Sequence, residues 1–154
     1  MFHFKQFTIH QDQCAMKVST DACILGAWVD VAQAENILDI GAGTGDFLLV
    51  AKSRGWKAVG MEPNSKAKTI SKKKGICIVD NYSALEDHFF DVITMWHVLE
   101  HVPNLEFQIK ELKRLLKPNG TIIIAVPNYK SFDAIHYGKF WAAYDVPRHL
   151  WHFS

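Results

Sequence analysis

An acidic residue and three glycines stand together in the run LDIGAGTGDF, residues 38–47. Asp39 precedes Gly41, Gly43 and Gly45, so the glycine spacing is G-x-G-x-G. Glycine allows the backbone to turn tightly and to come close to a ligand, and the free N–H groups of a following helix can face that ligand. The run therefore predicts a strand, a loop that binds a nucleotide-type cofactor, and a helix.

A second carboxylate and the glycine spacing narrow the choice of cofactor. The dinucleotide fingerprint is G-x-G-x-x-G and holds a pyrophosphate, which the carboxylate of Asp39 would repel. A cofactor with a cationic centre and an ammonium group would instead be attracted by the carboxylate of Asp39. Glu62 follows the next apolar segment and could accept both hydroxyls of a ribose. A dinucleotide, or a glycine turn without a ligand, stays open as an alternative.

Histidines recur in two further runs. HVLEH, residues 97–101, has the H-x-x-E-H spacing of an inverted zinc-protease motif. Because this run follows a predicted parallel strand and not a protease helix, we predict no metal there. His97 is instead placed beside the reacting group, since imidazole exchanges protons near neutral pH, and Glu100 and His101 shape the pocket. Helix packing is the alternative for this run. Arg148 and His149 are predicted to contact the acceptor, with metal binding or packing as alternatives.

Alternating strands and helices must position these residues. Apolar runs predict strands at 36–40, 57–61, 76–79, 91–95 and 121–126, with helices at 45–54, 64–74 and 105–117. Such alternation predicts an α/β fold, a Rossmann-like parallel sheet with helices on both faces, which binds ligands at the carboxyl ends of its strands. The run TIIIAV is typical of a strand buried on both faces, and residues 118–120 before it predict a turn.

The chain is expected to form a single domain with three parts. Residues 1–35 predict a hairpin, with strands near 4–10 and 14–18, and a capped helix at 22–31. Residues 36–128 form the cofactor-binding core, and the aromatic segment 129–154 lies on the acceptor side. Because no antiparallel strands are expected after 121–126, the sheet would keep an open edge. The N-terminal segment, a second copy of the chain, or a missing part of the protein could cover it.

Composition excludes several classes of protein. The chain has 154 residues and a formal net charge of +1, which gives no general electrostatic argument for nucleic acid or membrane binding. A local basic run is interpreted as a solvated helix face, with phosphate contact as the alternative: Lys66, Lys68, Lys72, Lys73 and Lys74. Three cysteines without a C-x-x-C pair, and no signal or membrane-spanning pattern, predict a cytoplasmic protein.

Two family resemblances rest on longer motifs. From residue 37 onward, LDIGAGTG, FDVITMWHVLEHV, LKPNGTIIIAVPN and DVPRHLWHFS resemble class I S-adenosylmethionine (SAM) methyltransferases that act on small molecules. The N-terminal run FKQFTIHQDQCAMKVSTDACILGAW is similar to bacterial tRNA adenine-N6 methyltransferases. That second family places N-P-P-Y after its fourth strand to hold the adenine amine, whereas this chain reads TMWHVLEH there.

The resemblance to the SAM-dependent enzymes implies a cofactor site and an acceptor site. The cofactor residues would be Asp39, Gly41, Ala42, Gly43, Gly45, Glu62, Asp80, Asn81, Tyr82 and Trp96. His97 would be the general base, and the acceptor side would include His101, Tyr129, Arg148 and His149. The expected activity is methyl transfer to oxygen or nitrogen of a quinone, lipid or sugar precursor. A tRNA adenine-N6 methyltransferase, and a truncated or inactive SAM-binding module, are the alternatives.

Overall fold

A computed structural model describes residues 2–3, 8–9, 31 and 33–154 in two compact units, Met1–Asp30 and Val31–Ser154. In the first unit, strands β1 (Phe2–His3) and β2 (Thr8–Ile9) pair antiparallel. β2 lies within the first predicted strand of the hairpin, but it pairs with β1. The predicted strand at 14–18 lies outside the described residues, as does the predicted helix at 22–31 apart from its last position.

The second unit is built on a parallel sheet. Its strands are β3 (Asn36–Ile40), β4 (Lys57–Met61), β5 (Cys77–Val79), β6 (Phe90–Trp96) and β7 (Leu116–Ala125). They lie in the order β5-β4-β3-β6-β7, and every pair is parallel. The chain runs outward from β3 to β5 and then returns to β6, so the direction of winding switches between β3 and β6. A crevice at the carboxyl ends of these two strands is the expected ligand site of such a sheet.

Helices connect the strands and cover the sheet. α1 (Asp46–Ser53) joins β3 to β4, α2 (Ser65–Lys73) joins β4 to β5, α3 (Leu105–Leu115) precedes β7, and α4 (Phe132–Tyr137) follows it. All five residues of β3 are buried, so both faces of the central strand are covered. The predicted α/β architecture is therefore confirmed. No helix among the described residues has the length and apolar character needed to cross a membrane.

The prediction for β7 is wrong in two respects. The strand begins at Leu116, directly after α3, and contains residues 118–120, which were predicted to form a turn. The pairing shifts from Phe90 opposite Leu116 to Val92 opposite Thr121, so the extra residues form an irregularity within the strand. Pairing with β6 thus overrides the local turn preference of the Pro-Asn-Gly run, and α3 ends earlier than predicted.

β7 is also less buried than its apolar sequence suggests. Within β7 only Ile123 is buried, because β7 has a partner strand on one side only. Within residues 33–154, no strand pairs with its outer edge and no antiparallel strand follows it; Asn128 forms an isolated parallel bridge with Phe153. The open edge is therefore as predicted for the part of the chain that the structure describes.

Candidate functional site

The glycine loop lies at the carboxyl end of β3. The backbone N–H groups of Gly41 and Ala42 both donate to the carbonyl oxygen of Met61, at 2.8 and 2.9 Å, which ties the loop to the end of β4. Gly43 has a φ of +53°, and a Cβ added there would meet no atom within 4 Å. The absence of a side chain at Gly43 therefore leaves room beside the backbone, as close approach of a ligand requires.

Glu62 connects the loop to the helix that follows β4. Its Oε2 accepts the N–H of Gly43 at 2.7 Å, and its Oε1 accepts the N–H of Asn64 at 2.7 Å. A carboxylate has about four acceptor positions, so both oxygens can still accept a hydroxyl. Glu62 thus lies beside the glycine loop, where the sequence placed a ribose contact.

Asp39 is buried next to this loop. Its side chain accepts a hydrogen bond from Thr94 Oγ1 on β6 at 2.7 Å, and the residue is 2% exposed. Burial raises the pKa of Asp39 to about 7; the Thr94 hydrogen bond opposes this rise and the charge of Glu62 adds to it. A cationic ligand group beside Asp39 would favour its ionised form.

A cavity of about 610 Å³ opens beyond the ends of β4 and β5. It is lined by Met61, Asp80, Asn81, Tyr82, Ser83, Phe107, Glu111 and Arg114. Asp80 forms an ion pair with Lys68, and the Tyr82 hydroxyl donates to Gln108 Oε1 at 2.7 Å. The three residues that were predicted to contact an adenine therefore line one cavity.

The sequence did not indicate the part that α3 contributes to this cavity. Arg114 donates to the Tyr82 carbonyl at 3.0 Å, to the Leu85 carbonyl at 3.1 Å and to Glu111 Oε2 at 2.7 Å. It therefore fixes the loop after β5 against α3. The three-residue spacing of Glu111 and Arg114 was the available signal for a local ion pair, but the contacts to Tyr82 and Leu85 depend on the tertiary fold.

Trp96 and His97 stand where β6 ends. The Trp96 ring meets Phe47 edge-on at a centroid distance of 5.7 Å, and its buried Nε1 has no hydrogen-bond partner among the residues that the structure describes. His97 has a φ of +54°, and its N–H donates to the carbonyl of Ala125 at 2.9 Å. The backbone thus turns sharply at His97, directly after the carboxyl end of β6.

The remaining predicted acceptor residues divide into two places. The imidazoles of His101 and His149 meet edge-on with centroids 4.7 Å apart, and the Arg148 carbonyl contacts His101 Nδ1 at 3.0 Å. The Arg148 side chain turns to Asp145, at 2.7 Å. Tyr129 lies instead beside the bridge to the C-terminal residues, where its N–H donates to the Phe153 carbonyl at 3.0 Å. The structure therefore joins His101 with His149.

Comparison with known proteins assigns the chain and its fold to a class. A family model described as a methyltransferase domain matches residues 22–154, and the chain belongs to this family. A solved structure of a SAM-dependent methyltransferase from Thermotoga maritima superimposes with a TM-score of 0.61 and 25% identity, covering 77% of this chain and 58% of that one. SAM is the cofactor of this class of enzyme.

Curated relatives carry a more particular name. A tRNA1(Val) (adenine(37)-N6)-methyltransferase from Dyadobacter fermentans is 35% identical over 155 residues, which cover 82% of this chain. A protein of the same name from Trichodesmium erythraeum is 66% identical over 53 residues, which cover 34% of this chain and 22% of that protein. The chain spans 65% of the length of the Dyadobacter relative.

Proposed function

We propose that the chain binds SAM at the glycine loop and transfers its methyl group. The observation that carries this proposal is the open space at Gly43, whose N–H is fixed by Glu62 at 2.7 Å. A cofactor that lies against Gly43 would have the Glu62 carboxylate within reach of its ribose hydroxyls. Asp39 would face the ammonium group of the methionine part.

The adenine would occupy the cavity beyond β4 and β5. Asp80 and Asn81 offer acceptors to its exocyclic amine, and Tyr82 and Phe107 supply aromatic surface. The cavity volume of about 610 Å³ lies within the range of typical small-molecule sites, about 300–1,000 Å³. Trp96 would separate this part of the site from the acceptor side.

SAM supplies the electrophilic methyl group and the leaving group when it is bound. The chain must hold the acceptor in line and keep water out. His97 is proposed to accept the proton that an amine or hydroxyl acceptor loses. Its position at the end of β6, next to the cofactor loop, supports this role.

The names of the curated relatives favour the N6 amine of a tRNA adenine as the acceptor. Two features of this chain bear on that proposal. Exposed lysines lie at both ends of α2: Lys66 in the first turn, and Lys72 and Lys73 in the last turn. These side chains could contact phosphates. The run TMWHVLEH occupies the position at which those enzymes hold the adenine amine with N-P-P-Y, and this difference supports a small-molecule acceptor as the second candidate.

Transfer of a labelled methyl group distinguishes the two acceptors. The chain would be incubated with methyl-labelled SAM and a tRNA1(Val) transcript, with a transcript that carries guanine in place of adenine 37 as control. Label in the adenine transcript alone, with binding that weakens steeply as salt rises, supports the tRNA acceptor. Label only in a pool of small quinone, lipid and sugar precursors supports the second candidate. Cofactor binding without transfer to either would point to a SAM-binding module.

Two further expectations belong to this proposal. Action on tRNA is consistent with a cytoplasmic location. The open edge of β7 could pair with a second copy of the chain, since unpaired strand edges readily associate. Sedimentation of the purified chain at several concentrations would show a dimer if this edge is used, and a monomer if it is not.

A further inference from the structure

Three potential metal ligands converge on the acceptor side of the sheet. Glu100, His101 and His149 each offer a ligand atom, and these three atoms all lie within 4.8 Å of one another. The two histidines are far apart in sequence and meet only through folding. Among the described residues, this group combines one carboxylate with two imidazoles, a donor set that suits zinc and similar divalent ions.

Glu100 is buried without a hydrogen-bond partner for its carboxylate. The residue is 1% exposed, and neither Oε1 nor Oε2 has such a partner among the described residues. His97 Nδ1 lies 3.5 Å from Oε1, so this imidazole is one partner of the carboxylate. A carboxylate has about four acceptor positions, so Glu100 can still bind a cation.

The hydrogen bonds of the two imidazoles favour the tautomer that can bind a metal through Nε2. His101 Nδ1 lies 3.0 Å from the Arg148 carbonyl, and His149 Nδ1 lies 2.7 Å from the Ala143 carbonyl. A carbonyl oxygen only accepts, so each Nδ1 carries the hydrogen, and in the neutral ring Nε2 then has the lone pair. A backbone carbonyl that fixes the second nitrogen of the ring is the usual support of a metal-binding histidine.

Main-chain hydrogen bonds hold the two segments together. The Glu100 carbonyl accepts the N–H of Leu150 at 2.8 Å, next to His149 in the chain. Asp145 Oδ2 lies 3.7 Å from His149 Nε2, and the Arg148 guanidinium already balances its charge at 2.7 Å. The backbone thus brings the three ligand residues near one another.

We propose that Glu100, His101 and His149 bind a divalent ion of the zinc type. The ion would bind the buried Glu100 carboxylate and link the run after β6 to the C-terminal segment. One carboxylate and two histidines leave a fourth position free for water or for an acceptor atom. The inference concerns residues apart from the glycine loop and does not depend on SAM binding.

Calorimetric titration with Zn²⁺ alone tests the proposal. The chain would first be treated with a chelator and dialysed, and then compared with His149→Gln. The expected result is one ion bound per chain, with an affinity that falls about tenfold or more in His149→Gln. The matched control is His152→Gln, because His152 lies in the same segment and also contacts a carbonyl, Tyr144, at 3.1 Å, but is not one of the three ligands.

Folding is followed separately, since loss of a buried group can unfold the chain. Zn²⁺ should raise the midpoint of thermal unfolding of the unmodified chain and of His152→Gln, and not that of His149→Gln or His101→Gln. SAM affinity should be unchanged in folded His149→Gln, which separates this site from the cofactor site. Equal Zn²⁺ binding in all of these proteins, or no binding to the unmodified chain, would overturn the proposal.

Discussion

Replacing Asp39 by asparagine should remove a dependence of stability on pH. The pKa of Asp39 rises from 3.8 to about 7 in the folded chain, chiefly through burial. The unfolded chain therefore ionises this carboxyl at a lower pH than the folded chain does. Its contribution to stability is fully present below pH 3.8 and is lost as the pH rises towards 7.

The size of the effect follows from this shift. Each unit of pKa difference corresponds to about 1.4 kcal/mol, so Asp39 should lower the free energy of unfolding by about 2–3 kcal/mol between pH 5 and pH 8. In Asp39→Asn this loss should disappear. Urea unfolding at the two pH values measures it, as the change in the unmodified chain minus the change in the variant.

Asp91→Asn is the matched control for this experiment. Burial acts to raise the pKa of Asp91, but the Lys117 ammonium and backbone N–H groups outweigh it and hold the pKa at about 2. Asp91 is therefore ionised in both states at pH 5 and pH 8, so its loss should cost the same at either pH. If Asp39→Asn shows the same pH dependence as the unmodified chain, Asp39 does not ionise near neutral pH in the folded state, and the reasoning from burial is wrong.

Three further predictions concern single residues. Gly43→Ala should weaken SAM binding about tenfold or more. Gly55 is another open glycine with positive φ (+93°), so Gly55→Ala should cost about 1–2 kcal/mol of stability without changing SAM affinity. Equal SAM affinities of the two variants would place the cofactor elsewhere. Asp91→Asn should lower the free energy of unfolding by about 1–2 kcal/mol at pH 6. Urea unfolding should show this difference vanish as the pH falls towards 2, because only the ionised carboxyl is stabilised. A difference that persists at low pH would contradict this reasoning. His97→Asn, which tolerates positive φ, should lower kcat about 100-fold or more with the KM for SAM unchanged, and an unchanged kcat would exclude His97 as the base.

The sequence predicted the elements whose signals are local. The strand at Asn36–Ile40 was placed correctly because its apolar run ends in a glycine turn, and Lys57–Met61 was placed equally well. The start of β7 was not, because pairing with β6 extends the strand through a run with strong turn preference. Local preferences are reliable only where tertiary pairing agrees with them.

The candidate site divides in the same way. The glycine loop and Glu62 could be predicted, since the loop and the strand ends are adjacent in the sequence pattern. The contacts of Arg114 with the loop after β5 span about 30 residues, and the contact of His101 with Arg148 spans 47. One sequence carries no signal for such long-range pairs. The raised pKa of Asp39 likewise depends on how completely the fold buries it.

The most direct test of the central claim is calorimetric titration of the purified chain with SAM, and with NAD as the comparison. The glycine loop, Glu62 and Asp39 predict binding of SAM at micromolar concentration and no binding of NAD. Binding of NAD in preference to SAM, or binding of neither to a folded and monodisperse sample, would contradict the assignment of this loop to SAM.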